Sequence, residues 1–253
     1  MILTLVVALT VGLSVASRAL VNVKISKQNE ESSRAFQAAE AGIEQALQAY
    51  TGGNLNIPSS DLENNARFTS DLTQQRGTSF LVKGGNIVEQ SIGADVHLSS
   101  LGSYNVTIYF GTADQTNCNG SNNENIRPAI EVLILQRNSV IQKRLVEHTA
   151  CAGRTPGATA GGGNGTVTDP DLANRTQAFS SQITVGPITN GYVMKVIPLY
   201  NGTRLGILST VALPSQGKLV RSTGSSGETV RTIQYFESLP EIPTELFQYA
   251  ILS

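Results

Sequence analysis

The sequence has few of the residues that usually carry out catalysis or bind metals. It contains two histidines, two cysteines and no tryptophan in 253 residues. No serine lies in a G-x-S-x-G elbow, and neither His97 nor His148 has a metal-ligand spacing with the cysteines. We therefore expect no enzymatic activity, no bound metal and no cofactor.

The sequence also lacks an excess of charge of either sign. Its formal net charge is −1, so it has no basic field of the kind that attracts nucleic acid. Residues 112–125 are polar and carry oxygen ligands such as Asp114 and Asn117, but their spacing does not match an EF-hand. A solvated loop is favoured there, with an irregular calcium site as the alternative.

The longest hydrophobic run is at the start of the chain. Residues 1–17 contain no charge, and the apolar character continues past Arg18 to residue 23. About twenty helical residues span the roughly 30 Å of a bilayer's hydrocarbon. Residues 1–23 therefore predict a helix long enough to cross a membrane.

Helix breakers are missing from the next stretch. Residues 13–41 contain no Gly or Pro, so the helix should continue into water. Apolar residues then recur at steps of three and four, which is typical of one buried helical face. The members expected to pack on a folded head are Phe36, Ala39, Ile43, Leu47 and Tyr50. The pattern predicts one helix of about fifty residues, roughly 75 Å long, ending at Gly52-Gly53.

The segment SRAFQAAEAGIE at residues 33–44, placed directly after an apolar N-terminal helix, resembles type IV pilins and pseudopilins. It is most similar to the minor-pilin group that has an FQAAEAG element. The resemblance covers about the first fifty residues. It implies a structural subunit of a type IV pilus or of a type II-secretion-like filament.

The resemblance also implies partners and a location. The helix would lie in the cytoplasmic membrane before assembly, meet the inner-membrane assembly machinery, and then pack against copies of itself or sibling pilins in an extracellular filament. The residues expected in the filament core are Ile2, Leu3, Leu5, Val6, Leu9, Leu13 and Leu20. The alternative is a single-pass anchored binding or adhesion domain that does not polymerise.

The sequence departs from the family pattern near its start. Most members carry a Glu at the fifth mature position, whereas position 5 is Leu5 and the first acidic residue is Glu30. If Met1 is the mature first residue, after removal of a short leader, that carboxylate is missing. Arg18 is then expected to reach an interface, or to pair with Glu30 or Glu31 of a neighbouring subunit.

The remainder of the chain predicts an antiparallel β-rich head, and thus an α+β, pilin-like fold. The clearest hairpin joins residues 129–136 to 140–149, which brings Cys118 and Cys151 to the same end. An exported head allows these two cysteines to form a disulfide. Asn201-Gly202 predicts a second hairpin turn, and residues 224–227 a third.

We divide the chain into four segments on this basis. They are the helix at 1–53, a first β-rich part with the disulfide at 54–153, a Gly-rich loop at 154–175, and a second β-rich part with the C-terminal tail at 176–253. Within the second segment, residues 59–64 predict a short helix and 86–92 a strand.

Overall fold

A computed structural model describes residues 2–51, 59–62, 65–119, 125–137 and 141–243, without the side chains of 2–11, 15 and 141. The fold is α+β, as predicted, and it opens with one long helix, α1 (Ile2–Thr51). Its unbroken course follows from the absence of Gly and Pro between residues 13 and 41. The predicted stop at Gly52-Gly53 lies outside the described residues, as does the tail after residue 243.

The strands are mostly antiparallel. They are β1 (Ser60–Asp61), β2 (Ala66–Leu81), β3 (Ala94–His97), β4 (Ser103–Phe110), β5 (Ala129–Gln136), β6 (Ile141–His148), β7 (Thr159–Gly161), β8 (Gly165–Asp169), β9 (Arg175–Phe179), β10 (Ser181–Thr189), β11 (Gly191–Leu199), β12 (Leu205–Ser226) and β13 (Thr229–Ser238).

The chain forms two compact units. The first comprises residues 1–72 and 220–235, and the second comprises 73–219 and 236–253. The first unit holds α1 and a small sheet in which β1 pairs with β2, and β13 pairs with β12. The predicted turn at residues 224–227 joins β12 to β13, so that hairpin is confirmed.

The second unit contains two larger groups of strands. In one, β4 pairs with both β10 and β12; in the other the order is β3-β11-β5-β6-β7. Buried side chains from both groups form one core, for example Ile108 of β4, Ile130 of β5 and Met194 of β11. The β5–β6 hairpin is confirmed, and Cys118 and Cys151 form the predicted disulfide.

Asp169 holds several backbone segments of this unit together. Its buried carboxylate accepts hydrogen bonds from the Leu81 N–H (2.8 Å), from the Gln75 side-chain amide (2.5 Å) and from two N–H groups of the following turn. Burial raises the pKa of this carboxyl, and the N–H donors oppose that rise.

A second buried carboxylate holds the segment after the disulfide. Glu147 on β6 accepts from Arg154 Nε (2.6 Å) and from the Thr155 N–H (3.0 Å). The Arg154 guanidinium also lies 3.9 Å from the centre of the Tyr200 ring. Glu147 is therefore a buried side chain with both of its oxygens accepting a hydrogen bond.

Four predictions about the strands are wrong. Of residues 59–64 the structure describes 59–62, which contain β1 and no helix, and residues 86–92 contain only a bridge from Val88 to Thr203. The Gly-rich segment 154–175 is not a loop throughout, because it contributes β7 and β8. Gly161 approaches within 2.7 Å of Val146, measured from where its Cβ would lie, so that glycine permits close strand packing.

The fourth wrong prediction is the hairpin turn at Asn201-Gly202, which does not form. Strand β11 lies between β3 and β5, so both of its edges are already paired, and β12 pairs with β4 instead. A strong local turn signal was overridden because a buried central strand has no free edge for the segment that follows it.

Candidate assembly surface on the N-terminal helix

The candidate site of this chain is an exposed apolar stretch of α1. We call residues 12–30 of α1 the exposed helix segment, because every side chain described in it is exposed. Its large apolar members are exposed by half or more: Leu13 (62%), Leu20 (72%), Val21 (52%), Val23 (67%) and Ile25 (50%). Contiguous exposed apolar surface of this kind marks a binding surface.

The predicted filament-core residues fall on this segment and before it. Leu13 and Leu20 are exposed, and their burial in a filament core stays a prediction. Ile2, Leu3, Leu5, Val6 and Leu9 lie in the helix, but their side chains are outside the described residues. Within the part of the chain whose side chains are described, no helix meets the length and hydropathy that a membrane crossing needs.

Charges follow the apolar residues along the helix. Glu30 contacts Arg34, and Lys27 Nζ lies 3.6 Å from Glu31, each pair one helical turn apart. Such exposed pairs contribute only about 0.3–0.5 kcal/mol each. Both acids predicted to meet Arg18 of a neighbour thus have a partner within their own helix, and the pairing with Arg18 stays a prediction.

The C-terminal half of α1 docks on strands of the first unit through small residues. Ala35, Ala38, Ala39 and Ala46 are at most 1% exposed. Beside them, a Cβ on Gly42 would lie 2.2 Å from Ser222 Oγ and 2.5 Å from Ser70 Oγ. These two serines are hydrogen-bonded to each other across β2 and β12 at 3.1 Å. The helix therefore lies directly on the strands, with no space for a larger side chain at Gly42.

The closest approach involves the strand backbone itself. A Cβ on Gly224 would lie 2.0 Å from the carbonyl oxygen of Ala35 and 2.5 Å from the Ala39 nitrogen. Arg231 of β13 adds a polar contact, donating to Ser32 Oγ from Nε (2.9 Å) and from a terminal nitrogen (2.7 Å). Glycine at 224 is thus what lets strand and helix backbones meet.

The predicted packing face is partly wrong. Ala39 is buried and Ile43, Leu47 and Tyr50 are half-buried, but Phe36 is 48% exposed. Each helical residue turns the chain by about 100°, so Phe36 points away from the stripe formed by Ala35, Ala39 and Ala46. The stripe is defined by side-chain size, and sequence reasoning based on hydrophobicity gave Phe36 too much weight. Small residues recur at helical spacing at positions 35, 38, 39, 42 and 46. This spacing was the signal in the sequence that could have predicted the buried stripe.

The His148 side chain of the second unit is engaged in structural contacts. His148 Nδ1 accepts the Ala150 N–H at 2.9 Å and its other ring nitrogen faces Arg127, so neither nitrogen is open to a substrate. Burial lowers the pKa of His148, and Arg127 lowers it further. Among the described residues, no three His, Cys, Asp or Glu side chains are grouped to hold a metal. Residues 120–124 of the alternative calcium loop lie outside the described chain.

Comparison with protein-family models, with curated proteins and with solved structures found no match for this chain. The function of the exposed helix segment is therefore inferred from its own geometry.

Proposed function

We propose that this protein is a structural subunit of an extracellular filament of the type IV pilus or type II-secretion kind, assembled through α1. The observation that carries the proposal is the division of one continuous helix into a docked half and the exposed helix segment. The resemblance of residues 33–44 to pilins supports the same proposal.

The exposed segment needs to be covered. Fully burying one Leu, Val or Ile side chain is worth about 1.5–3 kcal/mol. The segment shows five such side chains that are half exposed or more: Leu13, Leu20, Val21, Val23 and Ile25. A lipid bilayer before assembly and a bundle of parallel helices afterwards are two environments that remove this surface from water.

A rigid connection favours the filament over a simple anchor. An anchor needs only a flexible tether, whereas here α1 runs without a break from the apolar segment into the half that contacts Gly224 and Ser222. Packing many such helices side by side would fix the position of each docked sheet. In this proposal the partners are other copies or sibling subunits, after release from the inner-membrane assembly machinery.

A charge near the start of the exposed helix segment tests the proposal. Leu13→Asp, expressed in the native host, should abolish the chain's presence in sheared extracellular filaments, because an unpaired carboxylate buried among helices costs several kcal/mol. Leu13→Met should retain it. Leu101→Asp is the matched control, since Leu101 is 78% exposed on the second unit, outside the proposed interface.

Two results would contradict the proposal. Wild-type protein that stays with membranes and never enters the sheared fraction would favour the non-polymerising anchored binding domain. Normal filament content for Leu13→Asp would show that the exposed segment is not buried by assembly.

A further inference from the structure

A lysine and an aspartate are buried together in the second unit. Lys195 on β11 is the direct cross-strand partner of Asp95 on β3. Lys195 Nζ lies 2.7 Å from Asp95 Oδ1, and the two side chains are only 3% and 2% exposed. Long charged side chains are almost never buried to this degree without a specific reason.

One side of the pair is apolar. Val193 and Ile197 flank Lys195 at two-residue spacing on the same face of β11, and they form a buried cluster with Leu133 of β5. Ile242, from the segment after β13, packs against that cluster. Bulk water is thus kept from this side of the pair, and an apolar environment of this kind penalises separated charges.

The contact has the distance of an ion pair but not the angles of a hydrogen bond. Among the described residues, Asp95 Oδ1 accepts no hydrogen bond of acceptable geometry, although the amine nitrogen is 2.7 Å away. The other oxygen, Oδ2, accepts the Ile242 N–H at 2.6 Å. The carboxyl is therefore held from one side by a backbone donor while the amine stands beside the other oxygen.

We propose that Lys195 and Asp95 join in an intramolecular amide bond. In the first step of this reaction one proton passes from the ammonium to Oδ1, across the 2.7 Å that separates Nζ from Oδ1. The amine nitrogen attacks Cγ, the Nζ–Cγ bond forms, and Oδ1 leaves with that proton and one more from nitrogen. One ammonium and one carboxylate become one amide and one water, with no oxidant or co-reactant.

The neighbouring groups suit this reaction. A near-attack arrangement places the reacting atoms about 3–3.5 Å apart, and an amine 2.7 Å from Oδ1 is within reach of that distance from Cγ. The Ile242 N–H points at Oδ2, where negative charge develops in the tetrahedral intermediate. A cavity of about 10 Å³, lined in part by Asp95, His97 and Glu241, has room for about one water molecule.

The segment that carries Ile242 is fixed in place by a second ion pair. Glu241 Oε1 lies 2.8 Å from Lys83 Nζ. This contact and the packing of Ile242 hold the backbone N–H on the carboxyl. Ile242 is thus a positioning residue through its main chain, and Lys83 supports it indirectly.

Mass spectrometry of the full-length protein tests the proposal directly. The intact wild-type mass, after allowance for the disulfide, should be lower than the sequence mass by one water. A protease digest should contain a branched peptide that joins the β3 and β11 sequences through residues 95 and 195. Lys195→Arg keeps a cation in the pair but cannot form this amide, so its mass should equal the sequence mass.

An internal control comes from the same group of strands. Lys143 Nζ lies 2.5 Å from Glu131 Oε1, but the Lys143 side chain is 51% exposed, so the pair is open to water and no branch should be found there. A folded wild-type protein of full sequence mass, with its disulfide intact, would overturn the proposal. Because this readout does not depend on filament assembly, its failure is separate from that of the proposed function.

Discussion

Gly224→Ala is the sharpest test of how the helix is held. The added methyl carbon would lie 2.0 Å from the Ala35 carbonyl oxygen and 2.5 Å from the Ala39 nitrogen, whereas ordinary contact begins near 3.4 Å. Both neighbours are main-chain atoms of α1, so no side chain can rotate away. Helix and strand must move apart for the methyl group to fit.

The size of the effect follows from the kind of clash. Overpacking a tight site costs about 1–3 kcal/mol, and contacts with backbone atoms belong at the upper end. A loss of about 3 kcal/mol in docking free energy corresponds to roughly a hundredfold increase in the undocked population. Helices without tertiary packing are marginally stable, so the undocked turns should also open more often.

Hydrogen exchange of the full-length protein in detergent micelles measures this opening. We expect amides of residues 35–46 to exchange roughly a hundredfold faster in Gly224→Ala than in the wild type. Gly12→Ala is the matched control, because no atom lies within 4 Å of its would-be Cβ and alanine favours a helix. Wild-type protection of residues 35–46 in Gly224→Ala would refute the docking argument.

Three further predictions concern the second unit. Asp169→Asn should lower the free energy of unfolding by about 1–3 kcal/mol in urea titrations. The amide nitrogen of Asn cannot accept the hydrogen bonds that backbone N–H groups donate to one of the Asp169 oxygens, so those donors lose their partner. An unchanged urea midpoint would contradict this. Glu147→Ala should cost about 3–5 kcal/mol by leaving Arg154 without its buried partner, whereas Arg154→Met with Glu147→Met should recover part of that loss. Burial lowers the pKa of both His97 and His148 below 6.5, so their contribution to stability is present above pH 6.5 and is lost as the pH falls through 6.5 towards the lowered values. Replacing both histidines with Asn should flatten the stability profile between about pH 7 and 5, and an equal slope in wild type and variant would exclude this linkage.

The long helix was predictable because its signals are local. Residues 13–41 contain no Gly or Pro, and apolar residues recur at helical spacing in the second half of the helix. Both signals act within a few helical turns, and together they predict α1 (Ile2–Thr51). The docked face was less predictable. Hydrophobicity favoured Phe36, but a strand backbone at Gly224 selects small side chains, and that approach is set by residues far along the chain.

Strand partners were less predictable than strands. Strand β4 and the β5–β6 hairpin follow from alternation and a short connection. The pairing of β12 with β4 depends on which edges are already occupied, and Asn201-Gly202 carries no information about that. The Gly-rich segment was interpreted from composition alone, although Gly161 serves a close approach to Val146.

The Lys195–Asp95 pair was not found from the sequence for a related reason. The residues are a hundred positions apart, and each is one charge inside an apolar run, Ala94-Asp95-Val96 and Met194-Lys195-Val196. A single charged residue between the apolar residues of a strand normally points its side chain to the solvent. This side of the sheet is buried because it carries the cluster of Leu133 and Val193, against which Ile242 packs.

The two halves of α1 differ in the size of their side chains, and this difference bears on assembly. Burying an alanine methyl group is worth about 0.8 kcal/mol, so the stripe of Ala35, Ala38, Ala39 and Ala46 gains only a few kcal/mol by docking. What it provides is proximity, because small side chains let the helix lie on the strand backbone at Gly224. The large side chains of the exposed helix segment are worth several times more if covered. The chain thus fixes the position of the helix with little hydrophobic energy and leaves the larger side chains exposed, which is the distribution that the proposed filament subunit would need to fold alone and still associate.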